Sequence, residues 1–184
     1  MTDTKTRILV EIALTVALAT VLNLIKLWRM PYGGDVSLEM LPILVLALRR
    51  GWRPGVSAGA LYGVVALMLG PIVVHWAQFL LDYPLAYAAL GVAGIFTELV
   101  RGARTDGRSR VGWTAAAVAA GAVLRFAAHF TSGLVFFGQY APEGQPTWLY
   151  SLLYNGSYML PAAILCAVAA AAILPPLDKA VPPR

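Results

Sequence analysis

Long apolar runs separated by short polar turns are the feature that most constrains the fold of this chain. The first run, from about residue 7 to residue 28, is long enough to cross roughly 30 Å of hydrocarbon at ~1.5 Å of helical rise per residue. The 184 residues are 59% hydrophobic and only 12% charged, with a mean hydropathy of +0.71. This composition lies outside the range of soluble domains and indicates an integral membrane protein.

Six apolar segments are predicted as transmembrane helices of one domain that covers residues 1–184. Turn formers and arginine clusters separate them, and the second segment is shorter than a full span, which predicts a tilted or interfacial helix. The polar stretch 98–110 predicts a hydrophilic linker, and the prolines after residue 174 predict a short non-helical tail. The predicted spans are about 7–28, 36–48, 55–72, 74–96, 111–137 and 148–174.

Basic residues are distributed unequally over the two sides of this arrangement. With six spans, Lys26 and Arg29 lie on one side, Arg125 lies within a span, and all other basic residues lie on the opposite side. The positive-inside rule then predicts that both termini are cytoplasmic in the cell membrane. Anionic lipid headgroups are sufficient partners for the net charge of +5, so no nucleic-acid partner is expected. The residues of the basic side are Lys5, Arg7, Arg49, Arg50, Arg53, Arg101, Arg104, Arg108, Arg110, Lys179 and Arg184.

The stretch 124–155 carries the densest group of polar and aromatic residues within apolar surroundings. Four of its residues recur at every fourth position, namely Arg125, His129, Gly133 and Phe137. On a helix this spacing forms one stripe along the side. Turn formers in 138–147 end that helix, and the next apolar run carries Tyr150 and Asn155 near its start. Two helices joined by a short aromatic loop predict one wall of a binding pocket.

Asp82 is the most informative charged residue. It lies several residues inside the fourth predicted span, where a carboxylate at the membrane centre costs ~2.5–3.5 kcal/mol, so it is expected to face the bundle interior. A structural pair with Arg125 is one possible role, and a ligand contact is the other. Pro84 favours the ligand contact because it weakens the local helix. Aromatic residues are concentrated on the same side of the membrane, which suits a flat cationic ligand.

Motifs for catalysis, ATP use or metal binding are absent from the sequence. There is no GxxxxGK[ST] loop, no HExxH and no CxxC, and no GxSxG accompanies the neighbouring Ser132 and His129. We therefore predict that the chain has no catalytic or metal-ligating residues of these kinds and does not itself use ATP through a phosphate-binding loop. The single cysteine, Cys166, excludes an intramolecular disulfide.

The chain resembles the thiamine-specific substrate-binding subunit, or S component, of energy-coupling factor (ECF) vitamin transporters. The resemblance covers nearly the whole chain and is most specific in HFTSGLVFFGQYAPEG and LYSLLYNGSY, with further likeness in LVEIALTVALA, in LPILVLALRRGWRPGVSAGALYG and around Asp82 and Tyr83. It implies an all-α bundle of six transmembrane helices that captures thiamine from outside the cell, is not an enzyme and has no cofactor of its own. It further implies docking on a transmembrane coupling protein with two ATPase subunits, whose ATP hydrolysis drives delivery inwards.

The resemblance also implies which residues bind the substrate. They are Asp82, Tyr83, His129, Gly133, Phe137, Tyr150, Asn155 and Tyr62. The loop from Trp28 to Asp35 resembles the lid of the family, and Trp28 or Tyr32 is expected to supply its aromatic contact. Ala13 and Ala17 match the small-residue face that packs on the coupling protein.

Three positions depart from the family pattern. The family has glutamate at the position of Asp82 and tryptophan at the positions of Phe137 and Tyr62. Asp82 keeps the negative charge, and the phenylalanine and tyrosine keep an aromatic face of smaller area. A cationic thiazolium still suits aromatic faces and Asp82, while an aminopyrimidine offers donors and acceptors to His129, Tyr150 and Asn155.

Two other classes of function are compatible with the same residues. An ion-coupled carrier or exporter of small aromatic or quaternary amine cations would also need an aromatic cage and a membrane carboxylate. Such a carrier is expected to transport as a purified chain under an ion gradient. A structural or assembly subunit of a membrane complex would instead have an interfacial belt of aromatic residues and no ligand.

Overall fold

Helices account for most of the structure, a computed structural model that describes residues 4–103 and 106–181. Two-residue strands, β1 (Trp28–Arg29) and β2 (Asp35–Val36), form an antiparallel hairpin with Trp28 opposite Val36. Arg104, Pro182, Pro183 and Arg184, which the sequence analysis used, lie outside the described residues. Within the described residues the helical segments are α1 (Thr4–Leu24), α2 (Met40–Arg50), α3 (Trp52–Ala66), α4 (Trp76–Gly102), α5 (Gly107–Phe136) and α6 (Thr147–Ala180).

Four of these helices, α1, α4, α5 and α6, are long and apolar enough to cross a membrane. The protein is therefore a helical, multi-pass membrane protein. Helices α2 and α3 have 11 and 15 residues. At ~1.5 Å per residue each is shorter than the ~30 Å of a bilayer core. The count of six spans stays a prediction.

Helix α2 lies at the centre of the bundle. Its apolar side chains point in all directions around the helix, and Ile43, Leu44 and Ala47 are fully buried. A helix that is apolar all round is stable only when other helices surround it. Arg49 and Arg50 mark the end of α2 that faces away from Glu39.

The turn between α2 and α3 depends on Gly51. This residue has a φ of 89° and its amide donates to the Ala47 carbonyl at 2.8 Å, which ends α2. Only glycine adopts this backbone conformation without strain. Pro54 follows in the first turn of α3, where a missing N–H costs no intrahelical hydrogen bond. A single residue therefore reverses the direction of the chain between α2 and α3.

Small residues bring α3 and α4 into backbone contact. Gly55, Gly59 and Gly63 repeat at every fourth position of α3, and a methyl group on Gly59 or Gly63 would overlap the α4 backbone at Tyr87 or Tyr83. Such spacing allows two membrane helices to approach closely. The close approach of the two helices places the turn of α4 that carries Asp82 and Tyr83 against α3.

Helix α4 is irregular along its length. A π-helical turn at Leu81–Leu85 contains Pro84, and a 3₁₀ segment follows at Gly91–Phe96. Proline lacks the N–H of a regular helical bond, and π turns within α-helices frequently occur at functional sites. The predicted weakening around Pro84 is thus present, and Asp82 lies within it.

Several helix ends differ from the prediction. α1 ends at Leu24 rather than near residue 28, and α3 ends at Ala66 rather than near residue 72. The predicted linker 98–110 is largely helical, because α4 continues to Gly102 and α5 begins at Gly107. Asp106 caps α5, and hydrogen bonds from Ser109 and from the Arg108 amide hold the pKa of its carboxyl below the usual value.

The predicted non-helical tail after residue 174 is wrong, since α6 continues through Pro175 and Pro176 to Ala180. Asp178 explains the extension because its carboxylate accepts from Arg49 at 3.2 Å and from Arg110 at 2.6 Å. These ion pairs hold the last turn of α6 against α2 and α5.

Ion pairs between basic residues and carboxylates gather at the end of α2 that faces away from Glu39. Glu11 of α1 accepts from Arg50 at 2.6 Å and from Arg7 at 3.3 Å, so the predicted Arg7–Glu11 pair is present. Arg101 donates to the Arg49 carbonyl at 2.7 Å. One end of the bundle is therefore basic and tied together by salt bridges.

Candidate ligand-binding site

A cavity of about 340 Å³ lies at the end of the bundle opposite the basic cluster. This volume falls within the ~300–1,000 Å³ typical of small-molecule sites. The hairpin 28–36 and the segment 67–75 lie over it, and α4, α5 and α6 form its walls. The lining residues used below are Tyr32, Asp35, Glu39, Gln78, Asp82, Tyr83, Tyr87, Arg125, His129, Ser132, Gly133, Phe137, Tyr150, Tyr154, Asn155 and Tyr158.

Asp82 is fixed in the cavity wall by three side chains. Its Oδ2 accepts from Gln78 Nε2 at 2.7 Å and from Ser132 Oγ at 2.8 Å, and its Oδ1 lies 3.0 Å from His129 Nδ1. Among residues 4–103 and 106–181, no lysine or arginine pairs with Asp82. The carboxylate is therefore held in one orientation by hydrogen bonds, and its charge is not cancelled by a fixed cation.

His129 lies between Asp82 and Arg125. Arg125 Nε donates to His129 Nε2 at 3.4 Å, and the Nδ1 atom of the same ring lies 3.0 Å from Asp82 Oδ1. The imidazole therefore bridges the arginine and the carboxylate and positions Asp82 in the cavity wall.

Glu39 is the second buried carboxylate, and Arg125 is its partner. Arg125 Nη2 donates to Glu39 Oε1 at 2.9 Å, and its guanidinium lies over the Tyr87 ring at 4.1 Å from the centroid. The hydroxyls of Tyr87 and Tyr62 donate to Glu39 at 2.5 and 2.7 Å, and Asn23 also donates to it. Pairing and hydrogen bonding together make a buried charge tolerable. The alternative pairing of Asp82 with Arg125 is thus not the one adopted.

Asn155 is oriented by its neighbours on α5 and α6. Its Nδ2 donates to the Ser151 carbonyl at 2.9 Å, and its Oδ1 accepts from the Tyr158 hydroxyl at 2.8 Å. A methyl group on Gly133 would overlap Ser151, so the helices pack closely here. Because a carbonyl oxygen has two lone pairs, Asn155 Oδ1 keeps one acceptor position.

Gln78 connects the site to the segment 67–75. Its side chain is 1% exposed, donates to Asp82 and to the Ile72 carbonyl, and accepts from the Val74 amide. The Tyr83 hydroxyl accepts from the Ile72 amide at 3.0 Å. This segment is therefore fixed to the same turn of α4 that carries Asp82.

The hairpin 28–36 is seated on α6. Lys26 pairs with Asp35 at 2.5 Å, and the Tyr32 ring packs against Tyr140 with centroids 4.6 Å apart. The Tyr154 hydroxyl contacts the backbone at Tyr32 and Gly33. Aromatic side chains from three parts of the chain therefore meet above the cavity.

Most of the sequence-predicted substrate residues are brought together by the fold. Two are not in the cavity lining: Tyr62 is 0% exposed and bonded to Glu39, and Trp28 is 65% exposed on the hairpin. The residues that line the cavity are Asp82, Tyr83, His129, Gly133, Phe137, Tyr150, Asn155 and Tyr32.

Sequence reasoning assigned no role in the site to Glu39, Gln78, Tyr87 or Ser132. For Glu39 a signal was available, because a carboxylate directly before an apolar run is costly to bury and needs a cation. Gln78 and Ser132 carry no comparable signal, since neutral polar residues are common in membrane helices. Their roles depend on the packing of α4 against α5.

Ala13 and Ala17 lie on an exposed face of α1, whereas Ala19 is fully buried. The two alanines are therefore accessible to a partner or to lipid. The structure describes no cluster of three or more His, Cys, Asp or Glu side chains arranged for a metal ion within residues 4–103 and 106–181. The expectations of no metal and no cofactor stay predictions.

Comparison with known proteins gives consistent matches over nearly the whole chain. The sequence model of the thiamine transporter protein family (Thia_YuaJ) matches residues 9–181. The thiamine transporter ThiT of Bacillus subtilis is 43% identical over 166 residues, which cover 87% of this chain and 86% of that protein. ThiT of Lacticaseibacillus paracasei is 33% identical over 175 residues, covering 91% and 86%. The solved structure of ThiT from Listeria monocytogenes superposes with a TM-score of 0.89 at 28% identity, covering 96% of this chain and 98% of that one.

Proposed function

The chain belongs to the thiamine transporter protein family, and on that premise we propose that it captures thiamine in the cavity beneath the hairpin 28–36. The family is one of transporters, so the chain is a transporter and not an enzyme. Thiamine is the molecule named for the relatives in Bacillus and Lacticaseibacillus.

The charge balance of the cavity carries the proposal. Arg125 is paired with Glu39 and Lys26 with Asp35, whereas Asp82 is held by Gln78, Ser132 and His129 and pairs with no lysine or arginine among the described residues. Arg29, the third basic residue of the lining, lies exposed on the hairpin. A monocation such as thiamine would pair with Asp82, and a carboxylate that is already oriented binds such a ligand with a smaller ordering cost.

The other lining residues match the remaining groups of thiamine. Asn155 offers a free acceptor position and the Tyr150 hydroxyl a donor and an acceptor, which suit an aminopyrimidine. Phe137, Tyr32 and Tyr83 supply aromatic faces for the two rings, and Gly133 leaves room beside α5. Tyr62 supports the site indirectly, through its hydrogen bond to Glu39. Trp28 lies on the hairpin 28–36, the lid of the cavity, and outside the cavity lining.

We further propose that the chain is the S component of an ECF transporter in the cell membrane, a single domain with six spans and cytoplasmic termini. The basic end of the bundle supports this orientation, because it lies opposite the cavity. Ala13 and Ala17 then form the docking face for the transmembrane coupling protein. Two ATPase subunits supply the energy, and the chain itself uses no cofactor.

A titration of the detergent-purified chain with thiamine tests the binding proposal. Intrinsic tryptophan fluorescence is expected to change saturably at one thiamine per chain and to be unaffected by riboflavin or biotin. The Asp82→Asn variant keeps the shape of the side chain and removes its charge, so it measures how much the charge contributes to thiamine binding. A folded preparation with no response to thiamine would mean that the proposed ligand is wrong.

Transport by reconstituted protein distinguishes the proposal from the ion-coupled carrier. In liposomes the purified chain alone is expected to accumulate no thiamine under a proton or sodium gradient. Accumulation is expected only when the coupling protein and ATPases are included with ATP. Gradient-driven uptake by the chain alone would support the carrier instead.

A further inference from the structure

Tyr154 makes two hydrogen bonds to the turn of the hairpin 28–36. Its hydroxyl oxygen accepts from the Tyr32 amide at 2.8 Å, and its proton is donated to the Gly33 carbonyl at 2.9 Å. Both contacts are to backbone atoms 121 or 122 residues away in the sequence. One side-chain oxygen of α6 thus fixes the backbone of two successive residues of the lid, the hairpin 28–36.

The backbone conformation of the turn allows it to pack closely against α6. Gly33 and Gly34 have φ values of 89° and 84°, a region that strongly favours glycine. A methyl group on Gly34 would overlap the Tyr158 ring, so the backbone packs closely against that ring. The turn is therefore held by hydrogen bonds at Tyr154 and by close packing at Tyr158, one helical turn further along α6.

The location of the turn gives these contacts a consequence for ligand exchange. Residues 29–35 line one side of the cavity, and a methyl group on Gly33 would come within 3.3 Å of Ile72 in the segment 67–75. The hairpin 28–36 and the segment 67–75, which both cover the cavity, therefore meet at Gly33. A ligand that enters or leaves on this side requires the turn to lift, and lifting it breaks both hydrogen bonds of Tyr154.

We propose that Tyr154 is the latch of the lid, a positioning residue that sets the rate at which ligand enters and leaves the cavity. This inference rests on the proposed function. Its side chain lines the cavity, and its hydroxyl makes both of its hydrogen bonds to the lid backbone. Removing that oxygen destabilises the seated turn equally in the empty and the occupied protein. Both exchange rates then rise, while the equilibrium affinity changes little.

Stopped-flow fluorescence with thiamine tests the latch in the full chain. In Tyr154→Phe the association and dissociation rate constants are each expected to rise about 10-fold, the factor that corresponds to ~1.4 kcal/mol. Kd is expected to stay within about 3-fold of the native value. An increase in Kd with an unchanged association rate would overturn the proposal, because it would make Tyr154 a ligand contact.

Tyr140→Phe is the matched control. The Tyr140 ring packs on Tyr32, but no hydrogen bond of its hydroxyl is found in the part of the chain that the structure describes. The same atom is removed from the same neighbourhood, so the rates are expected to stay native. Gly34→Ala disturbs the packing of the turn against Tyr158 and not the hydrogen bonds of Tyr154. It is also expected to raise both rate constants.

Amide hydrogen exchange of the peptide 28–36 gives a readout that needs no ligand. Faster exchange in Tyr154→Phe than in native protein and Tyr140→Phe supports the latch, and equal exchange in all three overturns it. If native protein binds no thiamine, the proposed function fails while this measurement still decides the latch. The two ideas are thus tested separately.

Discussion

The guanidinium of Arg125 lies against the carboxylate of Glu39, with Nη2 2.9 Å from Oε1, and not against Asp82. The two residues are 86 positions apart and both are buried. This pairing neutralises one carboxylate with the only basic residue predicted to lie within a span. Asp82, which the structure pairs with His129, is thereby left as a negative charge at the cavity wall.

Replacing Asp82 by asparagine is expected to weaken thiamine binding by about 30- to 150-fold. The substitution keeps the size of the side chain but removes its charge, and a desolvated charge contact contributes ~2–3 kcal/mol. Isothermal titration calorimetry measures the change. Glu143→Gln is the control, because Glu143 is exposed and lies outside the cavity lining. Equal affinity in Asp82→Asn and native protein would contradict the role of the charge.

Glu39→Gln is expected to destabilise the fold. It leaves the buried guanidinium of Arg125 without its partner, and breaking a buried pair costs ~3–5 kcal/mol. The thermal unfolding midpoint in detergent is expected to fall by several degrees. Glu39→Gln combined with Arg125→Met removes both charges and is expected to recover part of the loss. A double variant less stable than either single variant would show that the pair is not the source of the effect.

Tyr62→Phe distinguishes a structural from a ligand-binding role for Tyr62. The hydroxyl donates to Glu39 at 2.7 Å and the residue is fully buried, so its loss is expected to lower stability by ~1–3 kcal/mol. Thiamine affinity is expected to change less than 3-fold, by about 0.6 kcal/mol at most. Loss of affinity with a native unfolding midpoint would instead place Tyr62 among the substrate contacts.

Ala13→Trp and Ala17→Trp are each expected to abolish thiamine uptake by cells and to leave binding by the purified chain unchanged. If the proposed docking is right, the indole fills the close-approach surface that the coupling protein would need. Leu18→Trp is the control, since Leu18 is also exposed on α1 but points about 140° away from Ala13 and about 100° away from Ala17. Parallel loss of uptake and binding in the alanine variants would indicate misfolding rather than blocked docking.

Local patterns predicted a large part of this protein correctly. The four-residue recurrence put His129 and Gly133 on one side of α5 and Phe137 directly after its end, and all three line the cavity. Periodicity alone does not locate the ends of helices. The helix continues past Pro175 because Asp178 meets arginines of other helices, and such contacts are not visible in a local window.

The sequence by itself determined the membrane setting, the helical class, the family and several of the residues that line the site, because composition, periodicity and motifs are properties of neighbouring positions. The tertiary structure decided which charges pair. Asp82 and His129 are 47 residues apart, and the partners of Glu39 come from α1, α3, α4 and α5. Several pairings satisfy the same set of charges, and only the packing of the helices brings one set of atoms within hydrogen-bonding distance. The tertiary structure therefore decided the partners of Arg125, Gln78 and Tyr154.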